Sequence, residues 1–502
     1  MAGGLRETRD ARATEGKGAP VDVAQPEVVL TEHLDTEALG QSIEGLVAGL
    51  AVERGGAGDA PVVLPLVPHQ QHVPGAEGQQ SGLVEARRAL AWSRPHCERV
   101  EEIVKPGLLP RSLYLHVPFC VSKCPYCDFN SHVGQQHLFN AYLRALVQEV
   151  GAWGEALGHP ELDTVFIGGG TPSLVPAAQI AGLMDGVRAS FKLAQGAEVS
   201  MEANPQSAEA MKMDAWLDAG INRLSLGVQS LDDASLRFLE RANDADEARS
   251  VMARARSAGF RSLSFDLIFA VPGLSTSRWR EVLDEALAFS PNHLSAYELT
   301  PEPGTRLGAD VEAGRTVLPD DDTRIEQYEL TDVRLRAAGF SRYEVSNWAT
   351  PGHQCRHNLT YWTGLPYAAA GAGAHAFTRR AVATGWTEAA PAEAVSLRQW
   401  NLASPAGYIA AVRSRGHAVG GSEWLDLATT ASDLMMMGLR LEQGCDLGPL
   451  EEAFPGLRAT VAEPLRRLVQ QGLLTERVGL VRSTDRGRAV LNQVVAEFLP
   501  VR

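Results

Sequence analysis

The sequence predicts an α/β fold: an open, partial (β/α)6 barrel followed by a C-terminal helical, winged-helix-like domain. Three observations predict it. From residue 112, short apolar segments alternate with stretches of helical period. Such alternation implies parallel strands joined by right-handed crossovers. The last eighty residues follow a different order: helix, helix, short hairpin, helix.

The strand segments are Leu113–Phe119, Thr164–Ile167, Glu198–Glu202, Arg223–Val228, Ser262–Ile268 and His293–Leu299. Six units fall two short of a closed eight-fold barrel. Between the strands, residues 138–157 place Phe139, Leu143, Leu146, Val147, Val150 and Trp153 on one helix face. Residues 245–259 end in "SAGF", a glycine-terminated helix. At the C-terminus, "ASDLMMMGLRL" and "VAEPLRRLVQQGLL" are helical, and Gly479 marks the turn of the hairpin that follows. The expected divisions are a low-complexity extension over 1–108, the barrel over 109–345, a connecting segment over 346–420 and the terminal domain over 421–502.

The extension is rich in Ala, Gly, Glu and Gln and shows little periodicity, as in "GGAGDAPVVLPLVPHQQHVPGAEGQQ". Arg6, Arg9 and Arg12 suit an organelle transit peptide, but Glu7, Asp10 and Glu15 are interleaved with them, and transit peptides are poor in acids. No apolar run approaches the roughly 18 residues of a spanning helix. A cytoplasmic location is therefore expected. With 45% hydrophobic and 21% charged residues the composition is that of an ordinary globular protein. The net charge of −15 argues against a broad nucleic-acid-binding surface, even though a winged helix usually raises that possibility. Six cysteines in 502 residues are too few for a disulfide scaffold.

Polar groups end the strands. The first runs into Cys120, the second ends in "GGGTP", the third in "MEANP", the fourth in "GVQS"; the fifth carries Asp266 and the sixth Tyr297 and Glu298. A single polar residue at a strand end is usually a cap or a satisfied core group. Six in succession point to one shared site, because ligands of parallel α/β folds bind at the carboxyl ends of the strands.

Cys120, Cys124 and Cys127 form a C-x3-C-x2-C run directly after the first strand. Three chemistries compete. A structural zinc site needs a fourth ligand, which His116 or His132 could supply. A redox pair needs only C-x2-C and leaves Cys120 unexplained. A [4Fe–4S] cluster on three thiolates leaves one iron open to another ligand.

These motifs resemble the radical SAM superfamily. "LYLHVPFCVSKCPYCDFNSH", "FIGGGTPSL", "MEANP", "RLSLGVQS", "FDLIFAVPG" and "HNLTYW" together resemble the branch of oxygen-independent coproporphyrinogen III oxidases and HemW-type haem chaperones, over about residues 109–500. The resemblance implies that Cys120, Cys124 and Cys127 hold a [4Fe–4S] cluster whose open iron binds S-adenosylmethionine. It implies that Tyr114 and Tyr126 flank the methionine moiety, that Gly169, Gly170 and Thr171 cradle its amino group, and that Glu202, Gln229, Arg241 and Asp266 line the rest of the pocket. By itself Arg241, in "LRFLERAND", reads as a solvated helix residue. Asp266, inside "SLSFDLIFAVPG", must be hydrogen-bonded or functional.

Within the branch, the oxidases carry a further cysteine two positions after the third; here that position is Phe129. The "PYCDFNSH" and H-N-x-x-Y-W motifs (His357 to Trp362) resemble the chaperones. That resemblance implies haem binding, with His357 as axial ligand, and delivery to haem-requiring apo-proteins, membrane-associated recipients among them. From the residues alone, His357 and Trp362 equally suit a packed loop; Cys355 and His375 are further candidate ligands. The alternatives are radical oxidative decarboxylation of coproporphyrinogen III and, in another class, a zinc-stapled binding protein.

Overall fold

The computed structural model describes residues 109–382 and 384–499. The expectations for residues 1–108, Cys97 among them, lie outside the described residues.

Six parallel strands appear where the apolar segments fall: β1 Ser112–Val117, β2 Glu161–Gly169, β3 Lys192–Ala203, β4 Arg223–Gln229, β5 Ser262–Phe269 and β6 His293–Glu298. Each pairs in parallel with the next, as in Leu113↔Val165 and Phe265↔Leu294. β1 is buried at every position, as a strand covered on both faces must be. Helices α1 Phe139–Leu157, α2 Ala177–Ser190, α3 Ala210–Asp218, α4 Ala245–Ala258 and α5 Thr276–Ala288 return the chain between them. In α1 the buried face carries Phe139, Leu143, Leu146, Val150 and Trp153, and Gly158 ends the helix at φ 73°. α4 opens on a capping box between Asp244 and Glu247 and stops at Gly259, φ 92°.

The sheet is wider than six strands. Its order adds β9 Ala368–Ala370, parallel to β1, at one edge. At the other, an antiparallel pair, β7 Ser341–Glu344 and β8 Asn347–Ala349, extends β6. The boundary expected between 345 and 346 therefore falls inside a hairpin of the barrel sheet. Strands of three residues, Asn-Trp-Ala and Ala-Ala-Ala, are too short to show a period of two.

Between β8 and β9 lies the short helix α6 Arg356–Trp362. A three-stranded antiparallel sheet follows: β10 His375–Arg379, β11 Ser396–Asn401 and β12 Val419–Leu425, with α7 Pro405–Arg415 between the last two. Glu149 of α1 fastens this layer to the barrel. Its buried carboxylate accepts from Gly371 N (2.9 Å), Asn401 Nδ2 (2.9 Å), the Tyr408 hydroxyl (2.7 Å) and Ala418 N (3.3 Å). Burial raises the acid's pKa, and the four donors counter that shift.

The terminal domain takes the expected form. Helices α8 Leu427–Gly438 and α9 Leu457–Gln470 precede a hairpin of β13 Leu474–Arg477 and β14 Leu480–Ser483. Val478 and Gly479, at φ 52° and 85°, form its left-handed turn. Met435, Leu457, Leu465, Val481 and Val495 make its core, which Trp362 of α6 joins. Among the described residues no helix is long and apolar enough to cross a membrane.

Candidate cofactor site

The carboxyl ends of β1 to β6 surround a cavity of about 320 Å³. Cys120, Cys124, Cys127, Tyr126, Gly169, Gly170, Thr171, Glu202, Gln229, Arg241 and Asp266 all line it. Residues from six segments of the chain thus meet because parallel strands all end on the same rim. Tyr114 and His357 do not reach this cavity. They line a smaller one of about 140 Å³ deeper in the barrel, which also touches Gly169, Glu202 and Asp266.

The cysteine loop is built by local bonds. Phe119–Cys120 pairs in parallel with His132–Val133, Cys127 N donates to Cys124 O (3.2 Å), and Lys123 Nζ donates to Phe129 O (2.9 Å). The three thiols are free. Cys120 Sγ lies 3.5 Å from Thr171 Oγ1, and Arg241 Nη1 lies 3.8 Å from Cys124 Sγ. Burial pushes the Cys127 thiol up to about 12 and raises that of Cys120. Such thiols stay protonated until a cation takes the proton's place, which is what iron does.

Of the two histidines that could complete a zinc site, His116 is committed through both ring nitrogens and His132 through one. His116 Nδ1 is 2.8 Å from the Tyr114 hydroxyl and Nε2 is 2.8 Å from Asn130 O; burial lowers its pKa to about 4. His132 Nε2 lies 3.1 Å from Asn130 Oδ1 and 3.2 Å from Ala403 O. His116 thus has no nitrogen left for a metal, His132 is engaged through Nε2, and the thiol donors at the loop number three.

Beside them the "GGGTP" strand end forms a cradle. Gly169 has φ 118° and its N–H donates to Glu202 Oε2 (3.0 Å). A Cβ at Gly170 would lie 2.8 Å from the backbone N and O of Phe119 and 3.0 Å from Cys120 Sγ. Side chains are excluded there, so the strand end packs directly on the cysteine loop, and Gly169, Gly170 and Thr171 line the cavity beside it.

Acids and one guanidinium complete the rim. Burial, then the neighbouring Asp266, pushes Glu202 up to about 8. Asp266 is itself raised by burial and accepts from the hydroxyls of Ser295 (2.7 Å) and Ser225 (3.0 Å). Arg241 Nη2 donates to Asn204 Oδ1 (3.0 Å) and Gly227 O (2.8 Å), while its buried Nε has no partner. Gln229 sits at φ 66°, an uncommon conformation for a side-chain residue. Glu302 was not foreseen: it lines the cavity, its buried Oε1 lacks a partner, and burial with Asp128 nearby raises it to about 7. Its surroundings, "LTPEPGTRLG", carry only a turn signal. Ser225 and Ser295, also unforeseen, look in sequence like ordinary polar positions in strands.

The H-N-x-x-Y-W motif is placed differently from the expectation of an open haem ligand. His357 is 0% exposed. Its Nδ1 lies 2.8 Å from Thr164 Oγ1 and its Nε2 2.8 Å from the Tyr361 hydroxyl. Burial lowers it to about 3. In this arrangement both ring nitrogens are occupied, and the ring packs α6 against β2. Cys355 is buried too, with Sγ 3.6 Å from Glu198 Oε1. By contrast Asn358, Tyr361 and Trp362 line the large cavity.

Comparison with known proteins gives a consistent result. A profile of the radical SAM superfamily matches residues 114–286, and one of the HemN C-terminal domain matches residues 425–490. The heme chaperone HemW of Mycobacterium tuberculosis is 37% identical over 402 residues, spanning 78% of this chain and 97% of that protein. HemW of Escherichia coli is 35% identical over 78% of this chain and 99% of its own length. The mitochondrial radical S-adenosyl methionine domain-containing protein 1 of Mus musculus is 32% identical, over 84% and 95%. Among solved structures, the coproporphyrinogen III oxidase HemN of Escherichia coli superposes with a TM-score of 0.66 at 23% identity, covering 80% of this chain and 92% of that one.

Proposed function

Because this chain belongs to the HemW haem-chaperone family of the radical SAM superfamily, we propose that it binds haem and delivers it to apo-proteins, with a [4Fe–4S] cluster and S-adenosylmethionine as resident cofactors. The observation that carries this reading is the joining of a three-thiol loop to a strand-end pocket in a chain 32–37% identical to heme chaperones.

The residues present fit both cofactors. Cys120, Cys124 and Cys127 would hold the cluster, and three thiols leave one iron for an exogenous ligand. Gly169, Gly170 and Thr171 line the pocket beside the cysteine loop, and a small zwitterionic group would rest on that strand end. Glu202 and Asp266 would face an ammonium or ribose hydroxyls, and Arg241, with its unpaired Nε, a carboxylate or a ring nitrogen. Tyr126 would flank the methionine from the cysteine loop; Tyr114, one layer deeper, would act through His116. A bound, reduced cluster supplies electrons to S-adenosylmethionine. Recipients, membrane-associated ones among them, and a cytoplasmic location belong to the same proposal.

The test is anaerobic. Protein reconstituted with iron and sulfide is titrated with haem and then mixed with an apo-haemoprotein. The reading expects haem binding and transfer without conversion of coproporphyrinogen III. Robust decarboxylation of coproporphyrinogen III, or absence of haem binding, overturns it.

A further inference from the structure

We infer that Glu302 is a further ligand-binding residue of the large cavity and takes the amine edge of a bound adenine; this deepens the cofactor reading above and rests on it. Glu302 lies in the loop that leaves β6, and it lines the cavity while being only 4% exposed. Among the described residues no hydrogen bond engages its carboxyl: Oε1 is enclosed without a partner, and the charge that acts on the group is that of Asp128, itself an acid. A buried acceptor left without a donor carries the full cost of its desolvation, and a ligand that brings an N–H removes that cost.

The loop holds the side chain in place. Glu302 N donates to Thr300 O (3.1 Å), and the backbone N–H and hydroxyl of Thr305 both donate to Glu302 O (3.2 and 2.6 Å). Leu307 N donates to Pro125 O (2.8 Å), which ties the same stretch to the cysteine loop. Beside the acid the rim is apolar. Ile268, in β5, and Leu299, the residue after β6, are buried and line the same cavity. Leu299 N donates to Phe269 O (3.0 Å), so the end of β5 and the start of the loop lie side by side. An apolar shelf next to an unpaired acceptor matches a purine, which offers flat faces to the shelf and an exocyclic amine to the acid. S-adenosylmethionine carries three kinds of donor. The reading above gives its ammonium and ribose hydroxyls to the β2 strand end, Glu202 and Asp266, which leaves the adenine amine for Glu302.

The test uses the full chain with its cluster reconstituted. S-adenosylmethionine and its analogue with purine in place of adenine, which lacks the amine, are titrated anaerobically into the wild type, Glu302→Ala and Glu302→Gln. Iron and sulfide content reports folding of the cysteine loop. The inference expects the wild type to bind the analogue about tenfold more weakly than S-adenosylmethionine. Glu302→Ala should bind S-adenosylmethionine about tenfold more weakly than the wild type does and should no longer distinguish the two ligands. Glu302→Gln, which keeps an acceptor, should retain the discrimination. A wild type that binds both ligands equally overturns the inference. So does a Glu302→Ala protein that keeps the wild-type ratio, since a packing defect weakens both ligands alike. A wild type that binds neither ligand overturns instead the cofactor reading on which the inference rests.

Discussion

The Nε2 of His357 lies 2.8 Å from the hydroxyl of Tyr361, one helical turn further along the same motif. Thr164 holds the opposite nitrogen at 2.8 Å, so the motif's histidine is a buried bridge between α6 and β2. Its removal leaves a cavity and two unpaired hydroxyls. His357→Ala should therefore cost about 2–4 kcal/mol of stability, and Tyr361→Phe about 1–3 kcal/mol through the unpaired imidazole. Denaturant unfolding of the cluster-free protein checks both, and losses below about 0.5 kcal/mol in both variants would contradict this role.

Replacing Cys124 by Ala should abolish iron and acid-labile sulfide in anaerobically reconstituted protein. Cys355→Ala and Cys445→Ala should leave both contents unchanged, because these thiols are buried away from the loop. Full iron and sulfide in Cys124→Ala would contradict the three-thiol assignment.

Gly170→Ala places a methyl group 2.8 Å from the backbone of Phe119. Backbone cannot give way as a flexible side chain can, so the cost should be about 1–3 kcal/mol. Binding of S-adenosylmethionine should weaken as the strand end is forced away from the cysteine loop. Isothermal titration of the reconstituted variant checks this; wild-type affinity would show that the cradle is not used.

Glu202 gives a pH signature. Its folded carboxyl titrates near 8 against an ordinary 4.5, so the folded state holds the proton more tightly than the unfolded chain. Its contribution is fully present below about pH 4.5 and is lost as pH rises through 8. Glu202→Gln should flatten the fall in stability of the cluster-free protein over that window. Denaturation midpoints measured from pH 5 to pH 8.5 report it, and an identical slope in the variant would contradict the assignment.

Much of this was legible in the sequence, for physical reasons. The six parallel strands showed as apolar runs because their central residues are buried, as residues 197–201 are in β3. The polar residues at their ends marked the rim, since a parallel sheet gathers all carboxyl ends on one side. Thus Asp266, odd in an apolar strand, was identifiable as a member of the site before any partner was known. The edge strands Asn347–Ala349 and Ala368–Ala370 were not legible, being too short for periodicity and specified by their neighbours. The environment of His357 was also hidden. Its partner Thr164 lies 193 residues away, and no local pattern announces a bond closed only by packing α6 on β2. Glu302 escaped for the same reason: it is buried against the pocket only in the folded chain, and its local sequence carries a turn signal alone.

The most direct test is a single anaerobic mixing experiment. Protein carrying its cluster and one equivalent of haem is mixed with an apo-haemoprotein, and the transfer of the Soret absorbance is followed while coproporphyrinogen III in a parallel sample is assayed for conversion. The account predicts that haem moves to the recipient and that coproporphyrinogen III remains unconverted. Haem that never binds, or coproporphyrinogen III that is oxidised at each turnover, would contradict it.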